Sequence, residues 1–135
     1  MDGRLTLTVV TPERAVLQNV PCDEVTVPCL KGEIGVLPGH TPLIALLGIG
    51  LVTWRDISKK ASAAVRGGFV EISGDAVRVL ADQAATPDVI DEANVSAEKG
   101  DAENRRTHAA GDEALDSANE DVRFAEACLA LLRPA

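Results

Sequence analysis

The sequence predicts an all-β sandwich of about ten short strands over residues 1–86, followed by an antiparallel two-helix hairpin over residues 87–135. Three observations predict this division. Nine of the eleven glycines and five of the seven prolines precede residue 86, so the turn-formers belong to the first segment. Charge is distributed the other way: residues 1–85 hold eight Lys/Arg against nine Asp/Glu, while residues 86–135 hold five against twelve. Finally, short stretches rich in β-branched residues give way to apolar residues at three-and-four spacing. Thr86-Pro87-Asp88 stands on the boundary. A chain of 135 residues suffices for one ordinary domain, or a small domain with an appendage.

The strands follow in order. Leu5 to Thr11 alternates, with Leu5, Leu7 and Val9 on one face. Ala15 to Val20, Glu24 to Val27, Ile34 to Leu37 and Ile49 to Trp54 are short and bounded by Gly, Pro, Asn or Asp. Phe69 to Ser73 and Ala76 to Ala81 face each other across Gly74-Asp75, and a two-residue turn with glycine first suits a type II′ hairpin. Gly32, Gly35 and Gly39 are expected at positive φ or at a close backbone approach.

In the second segment Asp91 is the expected N-cap of a first helix, with Ile90 before it as a hydrophobic staple. That helix is expected to run to about Ala110. Gly111 would close it and Asp112 would cap the next. The second helix carries Leu115, Ala118, Val122, Ala125, Leu129 and Leu132 as a heptad seam, widened by Phe124, Cys128 and Leu131. The first offers only Ala93, Ala97, Ala102, Ala109 and Ala110, with Gly100 in its middle costing about 1 kcal/mol relative to alanine. An alanine-rich seam buries few methylenes and holds weakly, so the pattern permits a hairpin that leaves the sandwich and rearranges.

Several functions are excluded by composition. A net charge of −8 argues against nucleic acid and anionic lipid surfaces, which require basic patches. Cys22, Cys29 and Cys128 form no CxxC and no metal spacing, and are expected as buried thiols. The two histidines, His40 and His108, have no nucleophile elbow beside them and no metal spacing. His108 suits a helix C-terminus, where partial positive charge is favourable. There is no Gly-rich phosphate loop and no calcium-loop spacing, so no cofactor, metal or bond chemistry is expected. The longest apolar run, Leu43 to Trp54, is too short for a transmembrane helix and contains Gly48 and Gly50. The N-terminus does not read as a signal peptide, which predicts a soluble cytosolic chain able to dock on a membrane complex.

The segment Gly32-Glu33-Ile34-Gly35-Val36-Leu37-Pro38-Gly39-His40-Thr41-Pro42-Leu43 is a strand fragment running into a stiff Pro-Gly turn. With Gly48 and Gly50 after it, then Gly67-Gly68-Phe69-Val70-Glu71-Ile72 and Val77 to Asp82, it resembles the epsilon-subunit family of F-type ATP synthases. The resemblance covers residues 4–84 well, is partial at 88–93 and weak beyond. It implies a non-catalytic central-stalk subunit on the cytoplasmic face of the bacterial inner membrane. The implied partners are the gamma subunit, the c-subunit ring and, transiently through the hairpin, the alpha and beta subunits. It implies coupling of ring rotation to ATP synthesis, with the hairpin regulating hydrolysis. Glu33, His40 and Pro42 are the candidate ring-facing residues, and Val122, Arg123, Phe124 and Leu131 the candidate regulatory ones.

Some members of that family bind ATP through an Ile/Leu-Asp-x-x-Arg-Ala motif. Here Ile90 and Asp91 match, but Asn94 stands at the arginine position and Val95 at the alanine position. A triphosphate would meet an acidic segment without its guanidinium, so no tight ATP binding is expected. The second helix also has few basic residues, Arg123 and Arg133, where the family's hairpin is thought to meet an acidic segment of a catalytic subunit. Inhibition is therefore expected to be weak, or to use apolar contacts through Phe124 and Leu131. A free-standing ATP sensor, tested by equilibrium ATP binding, and an unrelated β-sandwich adaptor, tested by failure to bind a gamma subunit, are the alternatives.

Overall fold

The computed structural model describes residues 3–133. Eight strands precede two helices: β1 (Leu5–Val10), β2 (Ala15–Cys22), β3 (Glu24–Cys29), β4 (Gly32–Val36), β5 (Leu43–Leu46), β6 (Ile49–Asp56), β7 (Lys59–Ser73), β8 (Ala76–Ala85), α1 (Glu92–Thr107) and α2 (Asp112–Ala130). The strands run in the order β2-β1-β8-β7-β6-β3-β4, with β5 paired to β7. The pairings are antiparallel except that of β1 with β8. Together they form a sandwich followed by a helical hairpin, as expected.

Among the described residues there are eight strands where about ten were expected, and residues 59–73 form one strand of 15 residues. Its first half pairs with β6, from Ile49↔Arg66 to Asp56↔Lys59. Its second half pairs with β5, from Leu46↔Phe69 to Leu43↔Ile72. The change of partner falls at Gly67-Gly68, where φ is +65° and +96°. A Cβ on Gly68 would land on the Leu80 carbonyl oxygen. The glycine pair therefore bends a continuous strand and folds the sheet over its own apolar face.

That face is the core. Leu5, Leu7 and Val9 are fully buried and alternate with outward Thr6 and Thr8. Val25, Val27, Val52, Val70, Val77 and Val79 close on them without solvent exposure. The β7–β8 turn has Gly74 at φ +60° and no positive φ at Asp75, which is the type II′ requirement. Gly32 and Gly39 have positive φ, but Gly35 has neither positive φ nor a close neighbour, so nothing in the backbone demands glycine there.

In the hairpin, the Asp91 carboxylate accepts the Asn94 N–H at 3.1 Å, so Asp91 is the N-cap of α1. The far end differs from expectation. Helix α1 stops at Thr107 with His108 as its C-cap, three residues before Ala110. The His108 N–H donates to the Asn104 carbonyl at 3.2 Å, and its Nδ1 lies 2.9 Å from the same oxygen. Gly111 (φ +98°) caps the start of α2, where its carbonyl accepts the Leu115 N–H, and Asp112 lies in the first turn with Glu113, favoured by the helix dipole. The seam is narrower than its pattern. Ala118, Val122 and Ala125 are buried with Ala102, while Leu115 and Leu132 at its ends are 38% and 37% exposed. Ala93 and Ala97 face solvent, because Val95, Lys99 and Ala102 form the inward side of α1.

Candidate functional site

The first candidate surface is the loop from Leu37 to Pro42. The Gly39 N–H donates to Asp75 Oδ1 at 3.0 Å, which ties the loop to the β7–β8 turn. The His40 N–H donates to the Leu37 carbonyl at 3.1 Å, and its Nδ1 lies 2.6 Å from the Thr41 carbonyl oxygen. The half-buried ring therefore braces the loop. No His/Cys/Asp/Glu group suited to a metal occurs among the described residues. Pro42 is exposed in the same loop. Glu33, also exposed, sits on β4 opposite Pro28, three residues before Val36. At about 3.3 Å per residue it is roughly 10 Å along the strand from that end, and it lines one groove with Leu43, the residue that follows Pro42.

The second surface is apolar. Leu30, Ile44 and Leu46 are 67%, 68% and 62% exposed and border a groove of about 430 Å³ between the β3–β4 hairpin and β5. Cys29 lines this groove half-buried, unlike the fully packed thiol expected, while Cys22 and Cys128 are buried. The signal in the sequence was the run from Leu43 to Trp54, too short for a membrane and too apolar for an ordinary surface strand.

The third is the junction of hairpin and sandwich. Phe124, Ala127 and Cys128 of α2, with its C-cap Leu131, pack on Ala64 of β7 and Leu51 of β6, with Ile90 and Val95 beside them. Two candidate regulatory residues, Phe124 and Leu131, are therefore engaged with the sandwich. Val122 is buried in the seam between the helices, and Arg123 is exposed. Burial drives the Cys128 thiol up to about 11, with Glu98 adding to it, so the thiol is protonated and inert while the hairpin is docked.

Charge completes the junction. Arg66 of β7 donates to Asp121 at 2.6 Å and Glu120 at 3.2 Å, both on α2. Arg105 of α1 donates to the other Asp121 oxygen at 2.9 Å and to Asp101 at 3.0 Å. Asp121 thus joins both helices to the sheet. Burial would raise its carboxyl, but hydrogen bonds and charge from Arg66 and Arg105 outweigh that and hold it below the usual carboxylate range. A cavity of about 550 Å³ between hairpin and sheet contains these guanidiniums, but the protein's own carboxylates already take them. Of the partial nucleotide motif, Asp91 is used as a cap, Ile90 is half-buried and Asn94 is exposed with its backbone N–H in the cap. Sequence reading missed the network, since Arg66 and Asp121 are 55 positions apart and neither carries a local signal.

Residues 4–87 match the family model described as the beta-sandwich domain of the ATP synthase delta/epsilon chain. An ATP synthase epsilon chain of Desulfitobacterium hafniense is 41% identical over 133 residues, covering 98% of this chain and 92% of that protein. An epsilon chain of Symbiobacterium thermophilum is 42% identical over 87 residues, covering 64% of this chain, which spans 63% of that relative's length. Among solved structures, a chain of the Euglena gracilis mitochondrial ATP synthase (OSCP/F1/c-ring) superposes with a TM-score of 0.81 at 20% identity, covering 98% of this chain and 84% of that one. At that identity the likeness concerns the fold.

Proposed function

This chain belongs to the ATP synthase delta/epsilon family, and on that premise we propose that it is a non-catalytic rotor subunit of an F-type ATP synthase. The observation carrying this reading is the family match over the whole sandwich, residues 4–87. The rest of the molecule supports it: a close-packed sandwich transmits force because it is barely compressible. The loop braced by His40 would face the c-subunit ring on the cytoplasmic side of the membrane, with Pro42 at its surface and Glu33 on a neighbouring patch. The apolar groove at Leu30, Ile44 and Leu46 would receive the gamma subunit, since exposed apolar surface of this kind marks a docking site. Residues 1–86 would act as the coupling unit and residues 87–135 as a detachable regulator.

Detachment would expose Phe124 and Leu131 for contact with a catalytic subunit, while the acidic helix would discourage charge-based inhibition. An Arg123→Ala chain that relieved a strong inhibition would overturn this charge argument. No tight ATP binding by the isolated chain is expected, and calorimetric titration checks it. The reading as a whole is tested by returning the full chain to an F-type complex stripped of this subunit. Restored ATP-driven proton pumping supports it, and failure to enter the complex contradicts it.

A further inference from the structure

Two tight turns of the sandwich begin at one φ angle but not with one residue type. Gly74 begins the β7–β8 turn at φ +60°, and Ile57 begins the β6–β7 turn at the same φ of +60°. Glycine adopts that angle freely, whereas a β-branched residue there is a genuine outlier. Burial does not compensate, because Ile57 is 73% exposed. Its surroundings hold it in place: its N–H donates to Asp23 Oδ2 at 2.5 Å and its carbonyl accepts from Arg55 at 3.2 Å. Arg4 then ties Asp23 to Asp56, at 3.5 and 2.5 Å. A side chain that strains its backbone and shows apolar surface to water serves neither folding nor solubility, and such local conflicts concentrate at functional sites.

We propose that Ile57 is an apolar pin in a protein-docking surface, seated on the same partner as the loop from Leu37 to Pro42. The topology puts both at one end of the sandwich. Val25 pairs with Val36 on one side and Trp54 on the other, and Glu24 pairs with Arg55. Leu37, 56% exposed, and Ile57 therefore emerge on either side of the start of β3. Arg4, Asp23, Asp56 and Lys59 surround the pin with charge of both signs, and an apolar centre in a polar rim is the anatomy of a protein interface. The carboxylates at the tip and the net charge of −8 disfavour an anionic lipid surface. The matching surface is an apolar socket with a polar border. This inference rests on the reading of that end as ring-facing.

The test compares the full chain with its Ile57→Gly and Ile57→Asn variants, two residues that accept positive φ. The expected result is a melting temperature raised by a few degrees. Affinity for a detergent-solubilised stalk and c-ring complex lacking this subunit should fall about tenfold. Unchanged affinity of both variants overturns the pin, as does a melting temperature that does not rise. If the wild-type chain itself fails to bind the ring complex, the ring-facing reading falls and takes the pin with it. Binding of wild type, but not of the glycine variant, to phosphatidylglycerol vesicles would replace the protein partner by a lipid one and overturn the proposal.

Discussion

The sandwich and the hairpin are held together by different materials. In the sandwich, Leu5, Leu7, Ile72 and a set of fully buried valines contribute about 1.5–3 kcal/mol each, and their stiff branched side chains fit one arrangement. In the hairpin, Ala102, Ala118, Ala125 and Ala127 do most of the packing, with Val122 and Cys128 the larger buried members. The sandwich is secured by its own core. The hairpin is secured by its junction, a small apolar cluster and the network centred on Asp121. The two parts thus differ in where their stability resides, and that contrast is compatible with the division of labour proposed above.

The largest effect expected is in the sandwich. Leu7→Ala should cost about 2–5 kcal/mol in chemical denaturation, because Leu7 has no exposed surface and its cavity has rigid walls. A loss below 1 kcal/mol would mean that the sandwich is as yielding as the hairpin.

Asp121→Asn should cost about 1–2 kcal/mol, confined to docking of the hairpin. Amide exchange should quicken in α2 and leave β7 and β8 unchanged. The Cys128 thiol, inert at pH 8 when docked, should become modifiable. Equal acceleration throughout the chain would erase the contrast.

The same contact sets a pH dependence. The folded-state value of Asp121 lies below its unfolded value, so its contribution is fully present above the unfolded carboxylate range. It is lost as pH falls through the folded value, below the ordinary carboxylate range. Acid should therefore loosen the hairpin in the wild type, and Asp121→Asn should flatten that part of the profile. The smallest effect is Gly100→Ala, which should stabilise α1 by about 1 kcal/mol, since an added Cβ meets open space.

The sandwich was legible where the signal is local. Alternation at Leu5, Leu7 and Val9 placed a core face, Gly74-Asp75 placed a turn, and Asp91 placed a cap. Strand β5 was missed because its four residues are mostly exposed and do not alternate. Gly67-Gly68 stood in the sequence only ahead of the strand expected from Phe69, and its close approach to Leu80 makes it a bend in one longer strand. At the site, the motif around His40 was legible as a loop. The place of Glu33 on one groove with Leu43 depends on strand pairing, and the Asp121 network depends on tertiary packing, so neither has a signature in the sequence.

The most direct measurement is ATP-driven proton pumping by the chain's own F-type complex, stripped of this subunit and resupplied with wild-type or Asp121→Asn chain. The account expects both to restore pumping, with hydrolysis rates within about twofold of each other, because coupling resides in the sandwich and the acidic hairpin brakes weakly. Failure of the wild-type chain to restore pumping would contradict the rotor assignment. Loss of pumping on loosening the hairpin alone would place coupling in the element assigned here to regulation.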